Sequence, residues 1–261
     1  CPADQLLPVY LATGQVFALP VLAPRETIQA AEVPQHAADR LRWPGMRGRQ
    51  RFAEDVYYQA REAGLRLSPV AGSGAGRVGM WPPGAHRVYV HCGDEFSYDH
   101  WWDGLRAGNV FVTNGPLLRA EVRGQPPGHV FHIAAGETIS LEIGLQLATR
   151  DTVEYLEGMK NGQVEFDVPL HDWAEQGGGL PPVEFDASGW FVIRAVTNRQ
   201  ETYQLAITAP YYVEVAGTPR VSRTAVEYFL SWVESLPEHS RENTVAAVQF
   251  WRDRLAQSSA P

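Results

Sequence analysis

The sequence predicts an α/β region followed by an antiparallel β-sandwich and two C-terminal helices, and three observations carry that expectation. From Leu6 to about Asn114 helical and strand signals alternate, the pattern of layered α/β structure. From Leu117 to about Val215 strands are separated at regular spacing by turn residues, as in a sandwich. Beyond that, two stretches carry apolar residues at helical spacing. The corresponding regions are 1–116, 117–219 and 220–261.

The first region opens on Val16–Leu22, an apolar run with Pro20 inside it and Pro24 just beyond, which reads as a buried strand that ends early. Residues 34–50 hold Arg40, Arg42, Arg47 and Arg49 among prolines and glycines with no period, as in a long ordered loop. Phe52, Val56, Ala60 and Ala63 recur at helical spacing before Gly64, giving a helix over Arg51–Ala63 with a glycine stop. Leu65–Ala71 and Arg87–Cys92 read as strands. Ser97 is placed to cap a helix that Gly108 ends in the left-handed conformation. Val110, Phe111 and Val112 then form a strand, and Thr113, Asn114, Gly115 and Pro116 turn the chain sharply before Leu117. This corner reads as structural: Pro116 restricts Gly115, Gly115 is free to take glycine-only angles, and the Asn114 side chain can bond nearby backbone.

In the second region Thr138–Leu145 alternates Ile139, Leu141, Ile143 and Leu145 against polar residues and glycine, one half-buried strand. Asn161-Gly162 between Val153–Leu156 and Val164–Phe166 is a primed-turn hairpin signal. Trp190–Val196 is a core strand. In the tail Val226, Phe229, Leu230 and Val233 mark one helix, and Ser240 caps another carrying Val245, Val248, Trp251 and Leu255.

Trp101–Leu118, with Ala71-Gly72-Ser73-Gly74, His86–Val90 and Ser188–Arg194 in the same order, resembles the C-terminal part of CehA/McbA-like proteins. These belong to the PHP (polymerase and histidinol phosphatase) superfamily of metal-dependent hydrolases. The resemblance runs from about Phe52 to about Leu236. It implies that the first region is the end of a PHP-like barrel, completed by a missing N-terminal segment or a partner chain. It also implies hydrolysis of an ester, amide or phosphoester bond in a full-length protein that carries zinc, manganese or iron. Most metal ligands of the family lie N-terminal to the matched region, and no His-x-His or His-x-Asp pair occurs here. Where the family often has Gly-Ser-Asp-x-His, this chain reads Gly72-Ser73-Gly74-Ala75-Gly76, with glycine at both ligand positions. The resemblance thus implies no metal or cofactor in this chain and no activity by it alone.

Composition bounds the alternatives. The 261 residues are 44% hydrophobic and 11% aromatic, enough apolar surface for a packed core. A net charge of −8 argues against nucleic acid as a partner, because phosphates call for a basic face. No apolar run reaches the roughly 18 to 20 residues that span a bilayer, and no signal segment opens the chain. Cys1 in first position fits either a truncated or cleaved chain or a lipid-modified lipoprotein, the latter pointing to a bacterial periplasmic or secreted setting. Cys92 reads as a small buried hydrophobe.

Candidate chemistry centres on a cleft set of Glu32, His36, Asp39, Ser73 and Arg87. Glu32, His36 and Asp39 are the densest group of possible ligands, although Asp39 can equally pair with Arg40 or Arg42. A catalytic metal needs at least three ligands converging at about 2 Å, and the eight histidines are scattered. The Ser73 loop is a glycine-rich turn whose N–H groups could hold an anion of a small-molecule ligand. Ser73 lacks the flanking pattern of a nucleophile elbow. Trp101 and Trp102 point about 100° apart on a helix, so both cannot serve one stacking platform. Beside the hydrolase two rivals stand: a noncatalytic binding or scaffolding protein using the Ser73 and arginine loops, and a carbohydrate-binding β-sandwich.

Overall fold

The structure is a computed structural model; it describes Val21 and residues 30–32, 55–73, 82–198, 204–236 and 241–258. The chain divides into two compact units: among the described residues one holds 55–67 and 220–258, and the other holds 30–32 and 68–219. The strand expected over Val16–Leu22 lies outside the described residues apart from Val21, which is helical. The arginine-rich loop also lies outside them.

In the first unit α1 (55–62) ends at Gly64, whose φ of 78° is the left-handed stop expected from the sequence. Val56, Tyr57, Ala60 and Ala63 are buried. Two cations serve this helix. Arg254 Nη2 donates to the Gly64 carbonyl at 2.8 Å, occupying an acceptor that the helix end leaves open. Arg220 Nε meets both carboxylate oxygens of Glu62, at 3.0 and 2.9 Å. The tail forms α4 (Arg223–Glu234) and α5 (Arg241–Gln257), as expected. Phe229 of α4 stacks on Trp251 of α5 with centroids 4.9 Å apart. The expected apolar face of α5 is shifted: Ala247 and Trp251 are buried, while Val245 is 69% exposed.

The second unit contains β1 (Ala30–Glu32), β2 (Ser68–Val70), β3 (Arg87–Val90), α2 (Tyr98–Ala107), β4 (Val110–Thr113), β5 (Leu117–Val122), β6 (Val130–Ile133), β7 (Ile139–Leu141), β8 (Ile143–Ala148), β9 (Val153–Lys160), β10 (Gln163–Pro169), α3 (Leu170–Glu175), β11 (Val183–Phe185), β12 (Gly189–Thr197), β13 (Leu205–Thr208) and β14 (Tyr211–Val215). One layer is a mostly antiparallel sheet in the order β10-β9-β12-β13-β4-β3, with β14 pairing β12 and β6 pairing β14. The facing layer is built from the β5–β8 and β7–β11 pairs. Leu118, Ala120, Leu141, Ile143, Val183 and Phe185 from the second layer share a core with Leu156, Phe191, Ile193, Ala195, Tyr211 and Val213 from the first. The fold of this unit is an antiparallel β-sandwich.

Local signals hold well. The Ser97 hydroxyl accepts from His100 N at 3.1 Å, and Gly108 closes α2 at φ 79°. Asn161 and Gly162 turn from β9 to β10 at φ 50° and 77°, as a primed turn requires. Two expectations change. The run Thr138–Leu145 is two strands broken at Glu142, β7 pairing β11 and β8 pairing β5; the Glu142 carbonyl accepts from Arg123 N and so prolongs the β5–β8 ladder. The boundary expected at Pro116 is no domain boundary: β3 and β4 precede it, yet β4 pairs β13 in the large sheet.

The Thr113–Pro116 corner carries the chain from β4 in one layer to β5 in the other. Thr113 Oγ1 accepts from Gly115 N at 2.9 Å and donates to the Pro116 carbonyl at 2.6 Å. Asn114 Oδ1 accepts from Leu205 N at 2.8 Å, extending the β4–β13 ladder by one side-chain bond. Gly115 is not in the left-handed region, so glycine-only angles do not explain it. A Cβ there would lie 3.1 Å from Gln204 Cβ, a close approach to a flexible side chain.

Two glycines therefore separate in expected cost. Gly128 has φ 88°, and an added Cβ would sit 2.1 Å from the Ala107 carbonyl oxygen, so Gly128→Ala should lose at least about 2 kcal/mol from strain and overpacking together. Gly115→Ala should lose under about 1 kcal/mol, since only Gln204 must move. Denaturant unfolding of both variants checks the order; equal losses would refute it. Asn114→Ala should cost about 1 to 3 kcal/mol by leaving Leu205 N without its acceptor, read in the same titration.

Candidate functional site

The expected cleft set is only partly assembled. Glu32 ends β1, its backbone in register with Val70 of β2. His36, Asp39 and the glycines after Ser73 lie outside the described residues. Ser73 is buried, and its hydroxyl accepts from His86 N at 3.1 Å, which ties the end of the β2 segment to the start of β3. Arg87 Nη2 donates to the Gly115 carbonyl at 3.4 Å, and its guanidinium carbon lies 5.9 Å from the Tyr89 ring centre. Ser73, Arg87 and the corner are thus neighbours along β3, each already used by backbone or ring.

Other residues make the concave surface. Register places Tyr89 of β3 directly across from Phe111 of β4, and their rings stack 4.8 Å apart at 5°. Phe111 packs on the sandwich core, whereas Tyr89 is 37% exposed. Beside this stack opens a groove of about 380 Å³, walled by Arg119 and Glu121 of β5 and by the Pro126-Pro127 turn, with His91 at its β3 end. Arg119 and Glu121 face outward because β5 alternates strictly, with Leu118, Ala120 and Val122 buried. Their side chains pair at 3.1 Å. The groove offers the Tyr89 ring backed by that of Phe111, one acid–base charge pair and an imidazole. It escapes sequence reasoning because its walls come from strands and a turn brought together only by the fold. The alternation along Leu117–Val122 was the available signal.

Trp101 and Trp102 lie elsewhere, on α2. They stand edge to face at 4.9 Å and 89°, half-buried against Leu105, Val110 and Ala209. Cys92 is a half-buried free thiol. His132 Nδ1 lies 3.5 Å from Glu214 Oε2, and burial together with His132 holds the neighbouring His129 below its ordinary pKa. Among the described residues no group of three or more His, Cys, Asp or Glu side chains is placed to hold a metal ion. No helix among them is long and apolar enough to cross a membrane.

No family model and no curated protein matches the chain. Among solved structures, the fibronectin(III)-like modules of Clostridium thermocellum CbhA are similar to 37% of this chain and 93% of theirs, at 11% identity and a TM-score of 0.25. So slight a likeness carries no argument, and the sandwich stands on its own strand pairing.

Tyr211 holds the groove wall from behind. Its ring stacks on Phe191 at 5.1 Å, and its hydroxyl donates to the Ala120 carbonyl at 3.0 Å, pinning β5 between Arg119 and Glu121. Burial first, and the Glu121 charge second, push its phenol far above the usual range. The unfolded chain ionises near pH 10, so this contribution to stability is complete below about pH 10 and is lost as pH rises above it. Tyr211→Phe should cost about 1 kcal/mol at neutral pH and flatten the alkaline loss of stability. Unfolding curves at increasing pH check this; parallel pH profiles for the two proteins would overturn it.

Proposed function

We propose that this chain acts as a noncatalytic binding β-sandwich whose groove takes a carbohydrate. The observation that carries the reading is the exposed Tyr89 ring, backed by Phe111 at 4.8 Å, at the edge of an open groove with charged hydrogen-bonding groups on its wall. A sugar presents an apolar C–H face and a rim of hydroxyls. The backed ring receives the first, while Arg119 donates and Glu121 accepts at the second. The groove is within the size range of small-molecule sites. Phe111 holds Tyr89 in place, so little side-chain freedom is lost on binding.

The resemblance to CehA/McbA-like proteins supports a wider setting, in which this sandwich accompanies a metal-dependent PHP-like barrel in a longer polypeptide. In that setting ester, amide or phosphoester hydrolysis belongs to residues outside the matched region.

Calorimetric titration of the purified chain with a panel of soluble oligosaccharides tests the binding reading. At least one should bind, and Tyr89→Ala should weaken it by roughly tenfold or more, while Trp101→Ala on α2 leaves affinity unchanged. Failure of the whole panel, or full affinity in Tyr89→Ala, refutes the carbohydrate site. Stoichiometric zinc, manganese or iron in the same preparation would favour the metallohydrolase instead.

A further inference from the structure

β3 is the last strand of the large sheet, and among the described residues nothing pairs with its outer edge. The hydrogen-bonding phase of that edge follows from two observations. His91 N donates to the Asn109 carbonyl, and β3 runs antiparallel to β4 with Tyr89 opposite Phe111 and Val90 opposite Val110. In an antiparallel ladder bonded and non-bonded pairs alternate, so Arg87, Tyr89 and His91 bond β4. Val88 and Val90 therefore aim their N–H and C=O groups outward. The next strand confirms the phase, because Ala209 N donates to the Val110 carbonyl and Asn114 N to the Leu205 carbonyl. An edge with two outward residues and a large exposed ring is a template for another strand.

We propose that this edge pairs with β3 of a second copy of the chain, antiparallel about a twofold axis at Tyr89. In that register Val88 of each copy faces Val90 of the other, so all four outward residues enter bonded pairs, and no other register of the edge with itself uses all four. Tyr89 then lies opposite Tyr89 of the copy in a non-bonded pair, where side chains approach most closely. Neighbouring strands stand about 4.7 to 4.9 Å apart. The existing 4.8 Å stack of Tyr89 on Phe111 thus continues as a row of four rings across the joined sheets. In this register Arg87 of each copy stands opposite His91 of the other. The contact is isologous, so it closes at two copies. It covers the ring face offered to a sugar, so self-pairing and carbohydrate binding compete.

Sedimentation velocity of the full chain without sugar, from micromolar to millimolar concentration, is the primary test, joined to amide hydrogen exchange. The expected result is a monomer–dimer equilibrium in which the Val88 and Val90 amides slow by about tenfold or more as dimer accumulates. Tyr89 and His91, already bonded to β4, should change little. Val88→Pro removes an outward donor that β4 does not use. Two bonds are lost per dimer, so its dissociation constant should rise roughly ten- to a hundredfold. If Val88→Pro does not fold, exchange on the unmodified chain decides. A monomer at all concentrations overturns the proposal, as does a dimer whose Val88 and Val90 amides still exchange freely. Protection of those amides in a monomer, by a peptide or by the chain itself, overturns it too.

Discussion

The sandwich depends on β12, a nine-residue strand buried along its whole length. It pairs with β9 on one side, and on the other with β13 along one half and β14 along the rest. Alternate residues serve opposite faces: Phe191, Ile193 and Ala195 fill the sandwich core, and Val192, Arg194 and Val196 point the other way and are equally buried. Such a strand cannot slip by one residue without moving Arg194 into the apolar layer, so its register sets that of its neighbours. Arg194 stands across from Glu157 of β9, with Nε and Oε2 3.1 Å apart and side chains 8% and 11% exposed, an ion pair rather than an aligned hydrogen bond. A buried pair of this kind adds little net stability but penalises any register that separates its charges.

From that strand the structure reaches the groove in two steps. β13 carries the ladder to β4, and Asn114 adds a side-chain bond to Leu205 where the ladder ends. The Thr113–Pro116 corner then sends the chain into the facing layer as β5, the strand that presents Arg119 and Glu121. Tyr89 is delivered separately, at the sheet edge, by pairing of β3 with β4. The groove is thus a gap between the edge of one layer and a strand of the other, fixed on its core side by the Tyr211 hydroxyl. Its walls are regular strands and a turn stiffened by Pro126 and Pro127, which favours a rigid binding surface.

Sequence reasoning succeeded where a feature is decided within a few residues. Ser97 and Gly108 bound α2 because capping is a contact across three or four positions. Asn161-Gly162 made a hairpin because few other residues tolerate two successive positive φ angles. The buried run Trp190–Val196 declared a central strand by composition alone. The corner was located correctly but its glycine misread, since the close approach of Gln204, 89 positions along the chain, leaves no local trace.

Partnership was another matter. The alternation Ile139, Leu141, Ile143, Leu145 is continuous, yet Glu142 divides it between two strand pairs, because the choice of partner is made by β11 and β5 and not by the run itself. The site followed the same rule: Tyr89, Phe111, Arg119 and Glu121 each sit at an unremarkable position in a strand, and only pairing across the fold puts them around one groove. The sequence by itself determined the sandwich class, the caps, the hairpin and the central strand, because short-range backbone geometry and side-chain period govern these. The tertiary structure alone decided which strands share a sheet, which strand ends the large sheet among the described residues and where the groove lies, because those depend on contacts between residues far apart in the chain.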